Sequence, residues 1–421
     1  MKNIQNYIAI FVLILVMSGI IIAFSTISKS DTLNTSKTEE TNISKEEDFK
    51  YITSRISQNS NIQFENNFGG TNDDKIVEVF KLNNYYLIGT TKSKDKYFNK
   101  VSSDSVFVMI VDADGNVVNI STISFEKDIQ IISTKIHQNY IYILVNNQGT
   151  KLINYNLTTN LFDVDYFDNN NQSDLIISSE PIVAFFNGQT TSFYFVLSNA
   201  VKVYNVNITK ILLSCDYLNG TLLIYNDNLS THFALLTLSG ITPLSTIQSH
   251  LTLQINITEE NFILLTTSKG NNYIKILDNN FNEKYSSTID AGTNYNIMWT
   301  NNTHILTYTL DSALYMSCYC DHATKIYSAK LIDNVEEYKV ELKTNINIVT
   351  KESNSLNTYV FNILGEQKER NNYNFSNNAD IVYFDSDYFN NLTIFGNYCY
   401  PNNVITTTFG NYDIFVTKTQ K

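Results

Sequence analysis

The densest run of oxygen-bearing side chains lies between Asp163 and Ile177, in DVDYFDNNNQSDLII. Asp168, Asn170, Gln172 and Asp174 alternate along it, each with a side-chain oxygen. A hard cation such as calcium takes about six to eight oxygen ligands, so the chemistry offered is calcium binding by these four residues. The same stretch also reads as an ordinary Asn/Asp-rich turn, because these side chains bond their own backbone. DADGN at Asp112–Asn116 opens like another calcium loop. Its glycine comes two places early for an EF-hand and no glutamate closes it, so it reads as a turn between strands.

A second constellation is CYCDH, from Cys318 to His322. Cys318 and Cys320 share one face of a strand, and thiolates with an imidazole suit a borderline-soft metal. The spacing is not a standard zinc pair and no second Cys/His pair lies nearby, so a structural thiol or a disulfide is the simpler role. With Cys215 and Cys399 there are four cysteines in 421 residues, too few for a disulfide scaffold.

Catalytic arrangements are poorly represented. His137, His232, His250, His304 and His322 are scattered, and HExxH, GxSxG and P-loop patterns are missing from the sequence. Two carboxylates meeting across a cleft would suit glycoside cleavage, but one sequence does not identify such a pair. The expectation is a protein that is not an enzyme, with no catalytic residues and no cofactor beyond calcium.

The elements that must position these residues are strands. Beyond residue 60 the apolar residues fall in runs of Ile, Val, Tyr, Phe and Leu separated by Asn, Gly, Asp and Ser, which is strand and turn chemistry. No long stretch keeps a helical period. Inner hairpins start near 76, 129, 181, 251, 294 and 345. The larger gap, 181 to 251, holds an extra unit around Lys210–Leu238. A period near 50 with four strands per unit predicts an all-β fold: a β-propeller of about seven four-stranded blades, six or eight being the neighbouring counts.

The opening unit, Phe68 to Val118, reads FGGTNDDKIVEVFKLNNYYLIGTTKSKDKYFNKVSSDSVFVMIVDADGNVV. It resembles the bacterial extracytoplasmic β-propeller repeat of the form FGG, then YLxGxTxSxD, then DxxFVxxxDxDGN. Phe68, Gly69 and Gly70 match the opening. Tyr86, Leu87, Gly89, Thr91, Ser93 and Asp95 match the middle, and Asp104, Phe107, Val108, Asp112, Asp114, Gly115 and Asn116 the end. The tail from Phe409, FGNYDIFVTKTQK, is similar to the last part of such a unit. Asp413–Lys418 echoes Asp104–Met109, so a strand from one terminus is expected to complete a blade begun at the other, which removes exposed edges. Central units lack FGG. Related exported propellers are scaffolds or binding modules, which the resemblance carries over as an expectation of the same kind. The Asp163–Ile177 stretch is similar to the DxDxDGxxDL loops of integrin-like propellers, but its central glycine is missing and its last acidic residue comes too early. Sialidase-like propellers favour SxDxGxxW units, and the single tryptophan, Trp299, is not in one.

Residues 1–6 form a short start, and Tyr7 to Ile27 is an uncharged apolar run of 21 residues. At roughly 1.5 Å per residue it spans a hydrocarbon layer of about 30 Å as a helix. It is longer than a usual signal-peptide core and lacks a small-x-small cleavage site, so a transmembrane signal anchor is expected at 7–27. Residues 28–60, poor in apolar side chains, are expected to be a flexible polar linker, and 61–421 the propeller domain. A long domain behind a first apolar segment is usually the exported part. The chain is thus expected at the cell membrane, single-pass, with its C-terminal domain extracytoplasmic, or secreted if the segment is cleaved.

The net charge of -12, without any Lys/Arg stripe, argues against a nucleic-acid partner. The expected function is a membrane-tethered, non-enzymatic ligand-binding or scaffold module with an envelope or surface protein or glycan as partner. The alternatives are a carbohydrate-active hydrolase or lyase on the same fold, and a calcium-stabilised surface adhesin.

Overall fold

Strands whose two faces are both apolar must be covered on both sides. Ser105–Val111 (SVFVMIV) and Pro181–Phe186 (PIVAFF) are buried at every position, so each sheet has to sit between two neighbours. A ring of sheets satisfies this without leaving a bare face. The computed structural model describes residues 41–42, 62–99, 101–126, 128–167, 172–300, 303–352, 355–374, 378–387, 391–399 and 412–419. Among them stand eight four-stranded antiparallel blades, so the expected count of seven is corrected to eight. The unit at 210–247 is the one expected in the long gap between hairpins, and the blade that raises the count is the closing one, built from Asn378–Ser386, Leu392–Cys399, Tyr412–Thr419 and Ile62–Phe68. In addition, blade three begins at Gln172–Ile177, one strand earlier than the hairpin at 181 suggests.

Blade one comprises Asp74–Lys81, Tyr85–Thr91, Ser105–Val111 and Val117–Ser124, with Thr41–Asn42 bridged to its outer strand. Blades two to seven run over 130–167, 172–204, 210–247, 251–288, 293–332 and 337–374. Blade eight takes Asn378–Ser386, Leu392–Cys399 and Tyr412–Thr419 from the C-terminal part and Ile62–Phe68 as its outermost strand. Ile62 pairs with Thr419 and Phe68 with Ile414. The expected closure is therefore observed. The anchor segment 7–27 and nearly all of the linker 28–60 lie outside the described residues, among which no helix is long and apolar enough to cross a membrane.

The core is divided into seams between neighbouring blades, and the two-residue period of each strand feeds two seams at once. In blade one, Leu87, Phe107 and Met109 join Phe395, Ile414 and Val416 of blade eight. Ile88, Val106 and Val108 point the other way, into Ile141, Ile143 and Ile153 of blade two. The 3-10 turn Lys96–Phe98 inserts Tyr97 and Phe98 into the seam with blade eight, where Phe68 meets Tyr97 edge-on at 5.6 Å.

Two glycines admit close approach. A Cβ on Gly89 would lie 2.1 Å from the Lys75 carbonyl and 2.5 Å from the Phe107 ring; on Gly396 it would lie 2.2 Å from the Asp380 carbonyl and 2.5 Å from Phe415. In both blades the glycine pairs with the residue before a bulge in the first strand, and a phenylalanine covers it.

The first strands line the ring's centre, each next to the first strand or hairpin of the next blade. Five of them carry a one-residue bulge, at Val77, Ile132, Leu212, Leu253 and Val382. A bulge re-aims a side chain: Val77, Ile132 and Leu253 are left exposed, whereas Leu212 and Val382 stay partly buried against the seams.

Candidate binding site in the central channel

Beside the bulges of blades four and five the channel widens into a cavity of about 420 Å³. Its surface is mostly polar, and Leu212, Leu253, Ile255, Met298 and Val340, from the first strands of blades four to seven, supply apolar side chains to it. The polar side chains on the wall are largely used by the fold. Gln254 accepts from the Ile297 N–H at 3.1 Å and donates to the Tyr295 carbonyl, which holds the irregular first strand of blade six to blade five. Asn296 bonds the Tyr338 hydroxyl. Lys210, exposed at the start of its strand, supplies the cation at this rim.

Comparable polar clasps recur between blades. The Asn226 amide receives the Thr252 N–H at 3.1 Å and gives a bond to the Thr252 carbonyl at 2.8 Å. Asn397 does the same for Ile76, at 2.8 and 2.9 Å. These bonds satisfy backbone groups that a bulged or terminal position leaves without a ladder partner. The sequence hides them, because an asparagine inside a strand has no periodic signature.

At the other end of the first strands, Asp385 sits between Lys81 and Lys343, with Lys343 at 3.1 Å and the Tyr85 hydroxyl donating at 3.1 Å. Burial acts to raise the Asp385 carboxyl, but the two ammonium groups outweigh it and hold the carboxyl below its ordinary value. Glu341 accepts from the Ser386 hydroxyl at 2.7 Å and pairs with Lys343 at 3.1 Å. The network joins blades one, seven and eight and uses its charges internally.

The FGG motif has a related purpose. Asp74 is fully buried and accepts from the Gly70 N–H at 2.6 Å, the Thr91 hydroxyl at 2.5 Å and the Ser93 hydroxyl at 2.8 Å. A Cβ on Gly69 would lie 2.1 Å from Asp413 and 3.1 Å from Asp74, so this glycine lets two buried carboxylates flank the closing strand. Burial pushes the Asp74 carboxyl up to about 6 despite these bonds. The folded state therefore holds a proton that the unfolded chain, titrating near 3.8, has already lost. Stability should fall as pH rises from about 4 to about 6 and then level off, by on the order of 3 kcal/mol. Asp74→Asn should flatten that part of the profile, which urea unfolding at a series of pH values would read.

Of the four calcium candidates, Asp168 and Asn170 lie outside the described residues. Gln172 is exposed at the start of blade three's first strand, and Asp174 is half-buried two positions on. Burial raises the Asp174 carboxyl, opposed by the Leu175 N–H at 2.7 Å and by Lys135, Ser133 and Lys210 around it. Asp112–Asn116 is the expected turn: the Asp112 carboxylate accepts from the Asp114 and Asn116 N–H groups. The histidines stand apart on blades two, four, five and six, His304 and His322 sharing the last. Cys215, Cys318 and Cys320 are free thiols. Cys320, Asp321 and His322 bring one ligand atom each to within 4.8 Å of one another.

No established family profile and no curated protein matches the chain. Among solved structures, a prolyl endopeptidase aligns over 80% of this chain and 55% of its own, at TM-score 0.50 and 8% identity. The dihydro-heme d1 dehydrogenase NirN aligns over 69% of this chain and 66% of its own, at TM-score 0.51 and 8% identity. Kluyveromyces lactis Hsv2 aligns over 71% and 99%, at TM-score 0.44 and 13% identity. The chain spans about half the length of the prolyl endopeptidase it matches. At such identities the likeness is one of fold: the chain is an eight-bladed β-propeller, and the narrower bacterial repeat family suggested by Phe68–Val118 is matched by no profile.

Proposed function

We propose that this propeller is a non-enzymatic binding or scaffold module, held outside a membrane by Tyr7–Ile27, with an envelope or surface protein or glycan as its partner. The observation that carries the reading is the channel cavity. Its wall sets apolar side chains among a mostly polar surface, its Gln254 and Asn296 amides are bonded to the fold, and Lys210 marks one rim. Such a site offers shape, a polar surface with a few apolar contacts and one charge for recognition, and its described residues assemble no nucleophile with a base.

Leu253 is 39% exposed on its bulge, so Leu253→Arg should place a second cation in the cavity with little loss of stability. The full chain in detergent should retain a saturable partner from envelope material of the producing cell, and the variant should retain it at least about tenfold less well. Equal retention by the variant would move the site off the channel. Release of cleaved glycan would favour the hydrolase or lyase reading instead. Loss of retention in a calcium chelator would support the adhesin reading, with Asp168, Asn170, Gln172 and Asp174 as ligands.

A further inference from the structure

Four hairpins joining third to fourth strands share one geometry, at 112–116, 278–282, 320–324 and 362–366. In each, the first N–H donates to the fifth carbonyl at 2.9 to 3.0 Å and the fourth N–H returns to the first carbonyl at 2.9 to 3.1 Å. The fourth residue has positive φ in each: Gly115 81°, Phe281 63°, Ala323 58° and Gly365 79°. In three of them the first side chain caps the turn. Asp112 accepts from the N–H groups of Asp114 and Asn116, Asp278 from those of Asn280 and Asn282, and Asn362 from those of Leu364 and Glu366, all at 2.8 to 3.0 Å. Blade six puts Cys320 in that position. A thiol is a weak acceptor, so the substitution gives up a turn cap and must be explained by something else.

The next two residues supply the explanation. Asp321 and His322 are exposed, with the His322 Nδ1 2.6 Å from the Asp321 carboxylate, and the His322 ring meets the Tyr285 ring at 4.5 Å. We propose that Cys320, Asp321 and His322 bind a borderline-soft divalent cation of the zinc class. Their ligand atoms lie within 4.8 Å of one another, and a tetrahedral zinc set needs about 3.5 Å. Rotation of exposed side chains closes that gap. On binding, the Cys320 thiol proton passes to solvent and the sulfur binds as thiolate, so affinity should rise with pH. Three protein ligands leave a fourth position open to solvent or to a donor on a partner.

Titrating the full chain, reduced and free of any histidine tag, with Co2+ alone tests this. One equivalent should produce a thiolate-to-cobalt charge-transfer band, and Zn2+ should displace it. His322→Ala should weaken binding by roughly tenfold or more. Cys320→Asp restores the cap of the sibling turns and should keep the fold by circular dichroism while losing the band. Absence of the band at stoichiometric cobalt would overturn the proposal. So would a band that survives Cys320→Asp, or binding indifferent to His322→Ala.

Discussion

A chain lacking residues 1–68 should fail to form a closed ring. It loses the whole outer strand Ile62–Phe68 and leaves Tyr412–Thr419 as an open edge. Phe68 is 1% exposed and its burial alone contributes about 2–3 kcal/mol. The seam it shares with Ile414, Phe395 and Tyr97 would open with it. Against a typical total stability of about 5–15 kcal/mol, that is a large share. The expected result is an early, broad thermal transition and concentration-dependent light scattering, as an unpaired edge recruits other chains. A synthetic peptide of residues 60–70 added during refolding should partly restore the sharp transition. A truncated chain that melts like the intact one would show that the closing strand contributes little.

Gly396→Ala should be the most damaging single-methyl change in blade eight. Its Cβ would meet the Asp380 carbonyl at 2.2 Å and the Phe415 ring at 2.5 Å. The backbone cannot rotate away as a side chain would, so about 3 kcal/mol of destabilisation is expected. Phe415→Ala, which empties a fully buried site, should cost about 3–5 kcal/mol. The double variant should cost clearly less than the sum, because removing the ring relieves one of the two clashes. Denaturant unfolding of the three variants measures this. Strict additivity would mean that the ring and the glycine are not coupled.

Much of this architecture is legible in the residues. Continuous apolar strands such as Ser105–Val111 announce a sheet covered on both faces, and Asp413–Lys418 announces a blade completed across the termini. The count of eight was concealed because the last blade, Asn378–Ser386, Leu392–Cys399 and Tyr412–Thr419, takes its fourth strand, Ile62–Phe68, from the other end of the domain and so does not read as one more four-strand unit. The polar Gln172, Ser173 and Asp174 hid only where blade three begins. Polar clasps such as Asn397 on Ile76 join residues 321 positions apart, and no local pattern reports them. The same distance hides why Gly69 is needed, since Asp413 lies far along the chain. By contrast, the Cys320 turn was within reach: aligning CDHAT with DADGN, DNNFN and NILGE places a cysteine where its siblings cap. What the sequence lacks is any local sign that Leu212 and Leu253 face a cavity, because a bulge breaks the alternation that would have assigned them a face.

Closure by Ile62–Phe68 also sets the order of events as the chain folds. Ile62 and Thr419 come from opposite ends of the domain, and joining a loop of several hundred residues costs on the order of 5 kcal/mol of chain entropy. Seams between consecutive blades form over far shorter separations and can assemble as the chain emerges. The last seam cannot. Until Tyr412–Thr419 is free, Phe68 has no partner strand, and the growing array is an open arc with two sticky ends. Slow, concentration-sensitive refolding with a late phase belonging to the seam of blades eight and one is the kinetic signature of that arrangement, and the interval before it is when a nascent chain most needs protection from its neighbours.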